Sequence, residues 1–213
     1  MTTETMSVHQ ALAELKTLNA RIDKAIANLN CVTAKKHSST QVNGISLESY
    51  EKNAEKTYQK ATDLINRRNA IKRAVVLSNA MTKVTVVGTE YTVAEAIDMK
   101  NHGMEKLRSL METINASYIS AQRTCNSNNG INLEARADDY IKSLYGASDS
   151  KTQSEEIEKA RNTFVENQTF ELVDPLNVEK IVEKLNDRID AFMTEVDSVL
   201  SVSNAITNIT ITY

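Results

Sequence analysis

One proline, Pro175, and five glycines are the only strong breakers in 213 residues. Glycine and proline are the residues that turn a chain sharply, so this sequence can build few tight turns. Long uninterrupted helices are the expected result. Trp is absent and aromatics are 5% of the chain, so the core has to be aliphatic.

The apolar spacing agrees. Val8, Leu12, Leu15, Leu18, Ile22, Ile26 and Leu29 recur at steps of three and four, which predicts a first helix from Val8 to about Cys31. "TAKKHSSTQVNG" breaks that period and ends in the turn dipeptide Asn43-Gly44. A second helix runs from near Ser46 to about Asn79, with a stripe of Ala61, Leu64, Ile71 and Val75; at ~1.5 Å per residue it approaches ~50 Å. Thr82 to Val87 alternates valine with polar residues and meets Gly88, the pattern of a short strand and turn. Thr92-x-x-Glu95 fits a capping box and opens a third helix that reaches about Thr124.

A shorter helix, Leu133 to Tyr145, follows. Then come the polar loop "GASDSKTQ", a charged helix from Ser154 to about Val165, and a small strand at "TFELV". Asp174-Pro175 predicts a helix start, with the aspartate as N-cap. The last helix carries Val182, Leu185, Ile189, Phe192, Val196 and Leu200, and Ile209 and Ile211 among threonines read as a closing strand. The expected fold is mainly α. It is an elongated antiparallel helical bundle with two or three short β segments at the bundle ends. We expect one domain, residues 1–213, with an insertion of short helices and polar loop at 126–173.

Three short segments recur. Ser78-Asn79-Ala80-x-Thr82 returns as Ser203-Asn204-Ala205-x-Thr207, with Val84 and Val86 matched by Ile209 and Ile211. "NGISLE" (43–48) returns as "NGINLE" (129–134), and "LNARID" (18–23) as "LNDRID" (185–190). The spacings differ, so the chain is not a solenoid of fixed period. The recurring order is helix, Ser-Asn exit, strand. Ser and Asn bond neighbouring backbone and end a helix where no glycine is available. The closing strand has to pair within the subunit or present an open edge to a neighbouring one.

Net charge is -3, which gives no basic field for nucleic acid. Two cysteines, Cys31 and Cys125, make no disulfide scaffold. No stretch approaches the ~20 apolar residues of a membrane span, and the N-terminus lacks the basic-then-apolar order of a signal peptide. A cytoplasmic, reducing location is expected, with no membrane and no nucleic-acid partner.

The sequence contains no glycine-rich phosphate loop, Cys-x-x-Cys or His-Glu-x-x-His, so no enzyme, metal or cofactor is expected. His102-x-x-Glu105 has the spacing of a di-metal bundle but no second pair, and reads as a solvated helix face. The dense basic cluster is "NRRNAIKR": Arg67, Arg68, Lys72 and Arg73. The helical wheel places Arg68 among Leu64, Ile71 and Val75, with Asn79 on the same face. A guanidinium there needs a partner. One reading is a salt bridge to a glutamate or aspartate on a facing helix, or a side chain that snorkels to solvent. The other is an anionic ligand such as a nucleotide, held by Arg68 with Arg67, Lys72 and Asn79 and with Tyr58, earlier on that helix, stacking on its base.

The segment "LINRRNAIKRAVVLSNAMTKVTVVGTEYTVAEAI" resembles the septicolysin-like family, small helical proteins of bacteria and phages. The resemblance is carried by Ser78-Asn79, Thr82, Gly88 and Thr92-x-x-Glu95. "ALAELKTLNARIDKAI" and "LNDRIDAFMTEVDSVL" look like that family's first and last helices. The insertion at 126–173 departs from its pattern. The resemblance implies a helical fold, an oligomer and a phage or prophage origin. The expected function is a non-enzymatic, self-associating binding protein that sequesters a nucleotide-type host defence signal or a host protein. A virion or assembly component is the alternative, and an unrecognised enzyme the third.

Overall fold

A computed structural model describes residues 2–146 and 154–213. The chain is mainly helical, with short strands paired in three two-stranded sheets. The elements in order are β1 (Thr3–Ser7), α1 (Val8–Ala27), β2 (Gln41–Val42), β3 (Ile45–Ser46), α2 (Leu47–Met81), β4 (Lys83–Val86), β5 (Thr89–Thr92) and α3 (Val93–Asp98). A π-helical turn (Met99–Gly103) leads into α4 (Met104–Asn128). Next come α5 (Ile131–Tyr145), α6 (Ser154–Gln168), α7 (Val178–Ile206) and β6 (Asn208–Thr212). The residues group into two compact units, one of Met1–His102 with Ala191–Tyr213, the other Gly103–Asp190.

In the first unit, α1 and α2 share a core with the β1–β6 sheet. Leu18, Ile71 and Ala11 are fully buried against Val8, Val75, Ile209 and Ile211. The closing strand thus pairs within its own subunit, with β1, a strand the sequence pattern did not announce. The register is antiparallel, Thr3 opposite Thr212 and Ser7 opposite Asn208. β1 escapes the periodicity argument because "TETMS" places one apolar residue, Met6, in five.

The Ser-Asn-Ala-x-Thr repeat is a structural repeat. Thr82 N donates to Ser78 O at 2.8 Å, and Thr207 N to Ser203 O at 3.0 Å. Thr82 O then accepts from Val93 N, and Thr207 O from Val8 N, both at 2.9 Å. Val93 and Val8 each open a helix behind a complete capping box, Thr92 with Glu95 and Ser7 with Gln10. The burial matches as well: Val84 and Val86 with Ile209 and Ile211, Val93 with Val8, Ala96 with Ala11, and Ile71 with Val196.

The unit therefore holds two copies of one motif, helix to strand and strand to capped helix. β4–β5 joins them in one copy and β6–β1 in the other. Beyond the π-helical turn, which inserts one residue, the matched positions shift by one. Met104 then corresponds to buried Leu18; Asn129-Gly130 matches Asn43-Gly44 in sequence alone, since it joins α4 to α5 whereas Asn43-Gly44 joins β2 to β3. "LNARID" and "LNDRID" do not correspond: Leu18 is buried and Leu185 only half-buried.

Asn43-Gly44 and Val87-Gly88 make the two hairpin turns, all four residues at positive φ (50°, 81°, 48° and 71°). Asn-Gly is the favoured pair for that geometry. A β-branched valine there is strained, because its Cβ crowds the backbone.

In the second unit, Arg161 of α6 bonds Glu134 and Asp138 of α5, and Tyr140 stacks on Phe164 with centroids 4.5 Å apart. Two expectations are corrected here. "TFELV" is not a strand: the side-chain amide of Asn129 exchanges two bonds with the Phe170 backbone, at 2.8 and 2.9 Å, and takes the place of a partner strand. The last helix begins at Val178, beyond the expected Asp174-Pro175 start, because the Asp174 carboxylate accepts from Val178 N, 2.9 Å away, across a turn containing Asn177 at φ 56°. The polar loop expected at 146–153 lies, from residue 147 on, outside the described residues.

Candidate functional site

The basic cluster of α2 is divided by the fold. Arg67 turns toward α1 and the two terminal strands. Its Nε and Nη2 bond both oxygens of Glu14, at 2.5 and 2.9 Å, and its Nη1 bonds Glu4 at 2.7 Å and the Tyr213 hydroxyl. Its guanidinium carbon also lies 5.0 Å from the centre of the Tyr213 ring. Both charged partners are largely buried, with side-chain exposures of 19% for Arg67 and 23% for Glu14. A planar guanidinium matches a carboxylate in two parallel bonds, which is the strong form of the pair. The pairing holds the Glu14 carboxyl below its ordinary range, against burial, and raises the arginine further.

Arg68, the residue the helical wheel singled out, faces α1 without meeting an acid among the described residues. Its Nε donates to Asn19 Oδ1 at 3.2 Å and its Nη1 to Asn69. Lys72 is exposed and Asn79 half-buried. Tyr58 is 61% exposed and sits more than two helical turns before Arg67. The five residues expected to surround an anion are strung along one helix and do not converge on one volume. Helical phase groups residues by face but says nothing of their separation along the axis.

A different feature converges. In an antiparallel ladder, residues alternate between facing the partner strand and facing away from it. Tyr213 exchanges both backbone bonds with Thr2, and Val8 N donates to Thr207 O. The alternation between those points turns Ile209 and Ile211 toward β1. It turns the N–H and C=O groups of Asn208, Thr210 and Thr212 outward. That outer edge lines a groove of about 520 Å³, whose other wall is a stripe of α2: Ala70, Arg73, Ala74, Leu77 and Met81. Leu77 is 57% and Met81 80% exposed. An unpaired strand edge beside exposed apolar side chains is a template for an added strand.

The second copy of the motif makes the corresponding groove, about 320 Å³, between β4 and α7. Val202 and Ile206 stand there where Leu77 and Met81 stand in the first, and Thr82 and Thr207 line both grooves in exchanged roles. The outer edge of β4 differs: the Val87 amide donates to the Glu195 carboxylate of α7 at 2.8 Å. The corresponding positions in the first groove are Thr212 and Ala70, and a methyl group cannot accept. The repeated Ser-Asn-Ala-x-Thr box was the available signal for both grooves. The open edge of β6 was not readable until β1 was known to be its partner.

No group of three or more metal-ligating side chains occurs among the described residues, and none of their helices is long and apolar enough to cross a membrane. No family model, curated protein or solved structure matches the chain.

Proposed function

We propose that this chain is a non-enzymatic binding protein that holds an extended segment of another polypeptide along the outer edge of β6. The observation that supports this is the run of outward N–H and C=O groups at Asn208, Thr210 and Thr212 beside the exposed Leu77 and Met81. Main-chain bonds to such an edge supply affinity, and side chains over the apolar wall supply selectivity. The rigid support comes from Arg67, which ties β1, α1 and the end of β6 to one helix.

A thermal-shift panel of nucleotides and capped β-strand peptides tests this reading. Stabilisation by a peptide that is lost in Thr210→Pro supports it. Proline on an outer edge removes one outward donor and leaves the β1 ladder intact. Stabilisation by a nucleotide that is lost in Arg68→Ala would replace it with the anion-sequestering function. Concentration-dependent polymerisation with no ligand effect would replace it with an assembly role.

A further inference from the structure

Building on the reading of β6 as a docking edge, we infer that the segment it takes is acidic: an extended peptide with a carboxylate at the Thr212 position and apolar side chains over Leu77 and Met81. The pattern comes from the second copy of the motif, at the turn beside its groove. There the outward amide of the strand edge, at Val87, is already taken by a carboxylate, Glu195. In the first groove the same helix position is Ala70, and the matching amide, Thr212, has no side-chain acceptor among the described residues. The neighbouring charge changes in the same sense. Ser198 in the second groove corresponds to Arg73 in the first, and Arg73 has no carboxylate partner among the described residues. One copy of the motif supplies its own acid, at the turn beyond its groove; the other lacks that acid and carries a cation, Arg73, in the groove lining. Lys72, exposed on the same helix, adds to that field.

A cation beside an unpaired edge amide is a two-part receptor for a carboxylate. The apolar wall fixes the rest of the register, because side chains of an added strand alternate between the groove and solvent. The same cation weighs against a second copy of this chain as occupant. Two β6 strands paired about a two-fold axis would bring Arg73 of both chains into one seam, and like charges in an interface oppose association.

The test uses the full chain and two labelled, capped seven-residue peptides with serine at the solvent-facing positions: the alternate, groove-facing positions carry valines and one terminal glutamate in the first, and valines and one terminal lysine in the second. Fluorescence anisotropy measures their affinities for the native protein, Arg73→Glu and Thr210→Pro. The expected result is preference for the glutamate peptide by roughly tenfold or more, reversed in Arg73→Glu, with both peptides lost in Thr210→Pro. Equal binding of the two peptides, with Thr210→Pro still abolishing it, would overturn the acidic inference and leave strand docking in place. Binding indifferent to Thr210→Pro, or no binding of either peptide, would overturn both. Circular dichroism of the variants separates loss of the edge from loss of the fold. Arg73→Glu, at an exposed position, keeps the comparison available should the proline variant unfold.

Discussion

Glu195 of α7 holds the amide of Val87, 2.8 Å away, at the turn end of β4. The bond joins a strained turn residue to α7, whose Phe192 also packs edge-on against Tyr91 of the same hairpin, with centroids 5.9 Å apart. Replacing Glu195 by alanine removes the acceptor and nothing else from that turn. Hydrogen exchange of the Val87 amide is expected to accelerate in Glu195→Ala, while those of Val84 and Val86, which face β5, stay slow.

Val87 is the wrong residue type for its turn. Asn43 occupies the same position of the other hairpin at nearly the same φ. Val87→Asn is expected to stabilise the protein by about 1 kcal/mol, the scale of the strain relieved. A urea titration with an unchanged slope and a raised midpoint checks this.

The two capping boxes occupy equivalent places in the repeated motif. Thr92→Ala and Ser7→Ala are each expected to cost about 1 kcal/mol, as N-cap losses do. Because the two sites share no residue, the double variant is expected to show the sum. Chemical denaturation of the three variants tests whether the copies are energetically alike as well as geometrically alike.

Arg67 is the structural arginine of the cluster. Arg67→Met leaves Glu14 and Glu4 without their cation and is expected to cost about 1–3 kcal/mol, the range for leaving a part-buried hydrogen-bonding group unsatisfied. The pH dependence has a definite sign. The folded Glu14 carboxyl titrates below its unfolded value of about 4.3, so its contribution is complete above that pH and is lost as pH falls through the lower folded value. Acid denaturation of the native protein below about pH 4 is expected to be shallower in Arg67→Met.

Much of this organisation was legible in local chemistry. The Thr92-x-x-Glu95 box, the Asn43-Gly44 turn and the valine alternation of β4 each specify their geometry through neighbours a few residues away. The Ser-Asn-Ala-x-Thr repeat read as helix exit followed by strand, which is what it is twice over. Other features depend on residues distant in the chain. β1 becomes a strand because β6 is there to pair with it. "TFELV" is denied a strand by the amide of Asn129. Arg67 meets Glu14 because the phase of α2 against α1 brings it there, whereas the helical wheel of α2 alone favoured Arg68. A wheel knows one helix, and the choice between adjacent arginines is made by the other.

The most direct measurement of the open edge is amide hydrogen exchange along β6, with and without the valine–glutamate peptide. In the free protein, Ile209 and Ile211 are expected to exchange slowly, and Asn208, Thr210 and Thr212 rapidly. Adding the peptide is expected to slow those three outward amides and leave the inward pair unchanged. Outward amides already slow in the free chain, or unmoved at a saturating concentration of the peptide, would contradict the assignment of β6 as a docking edge.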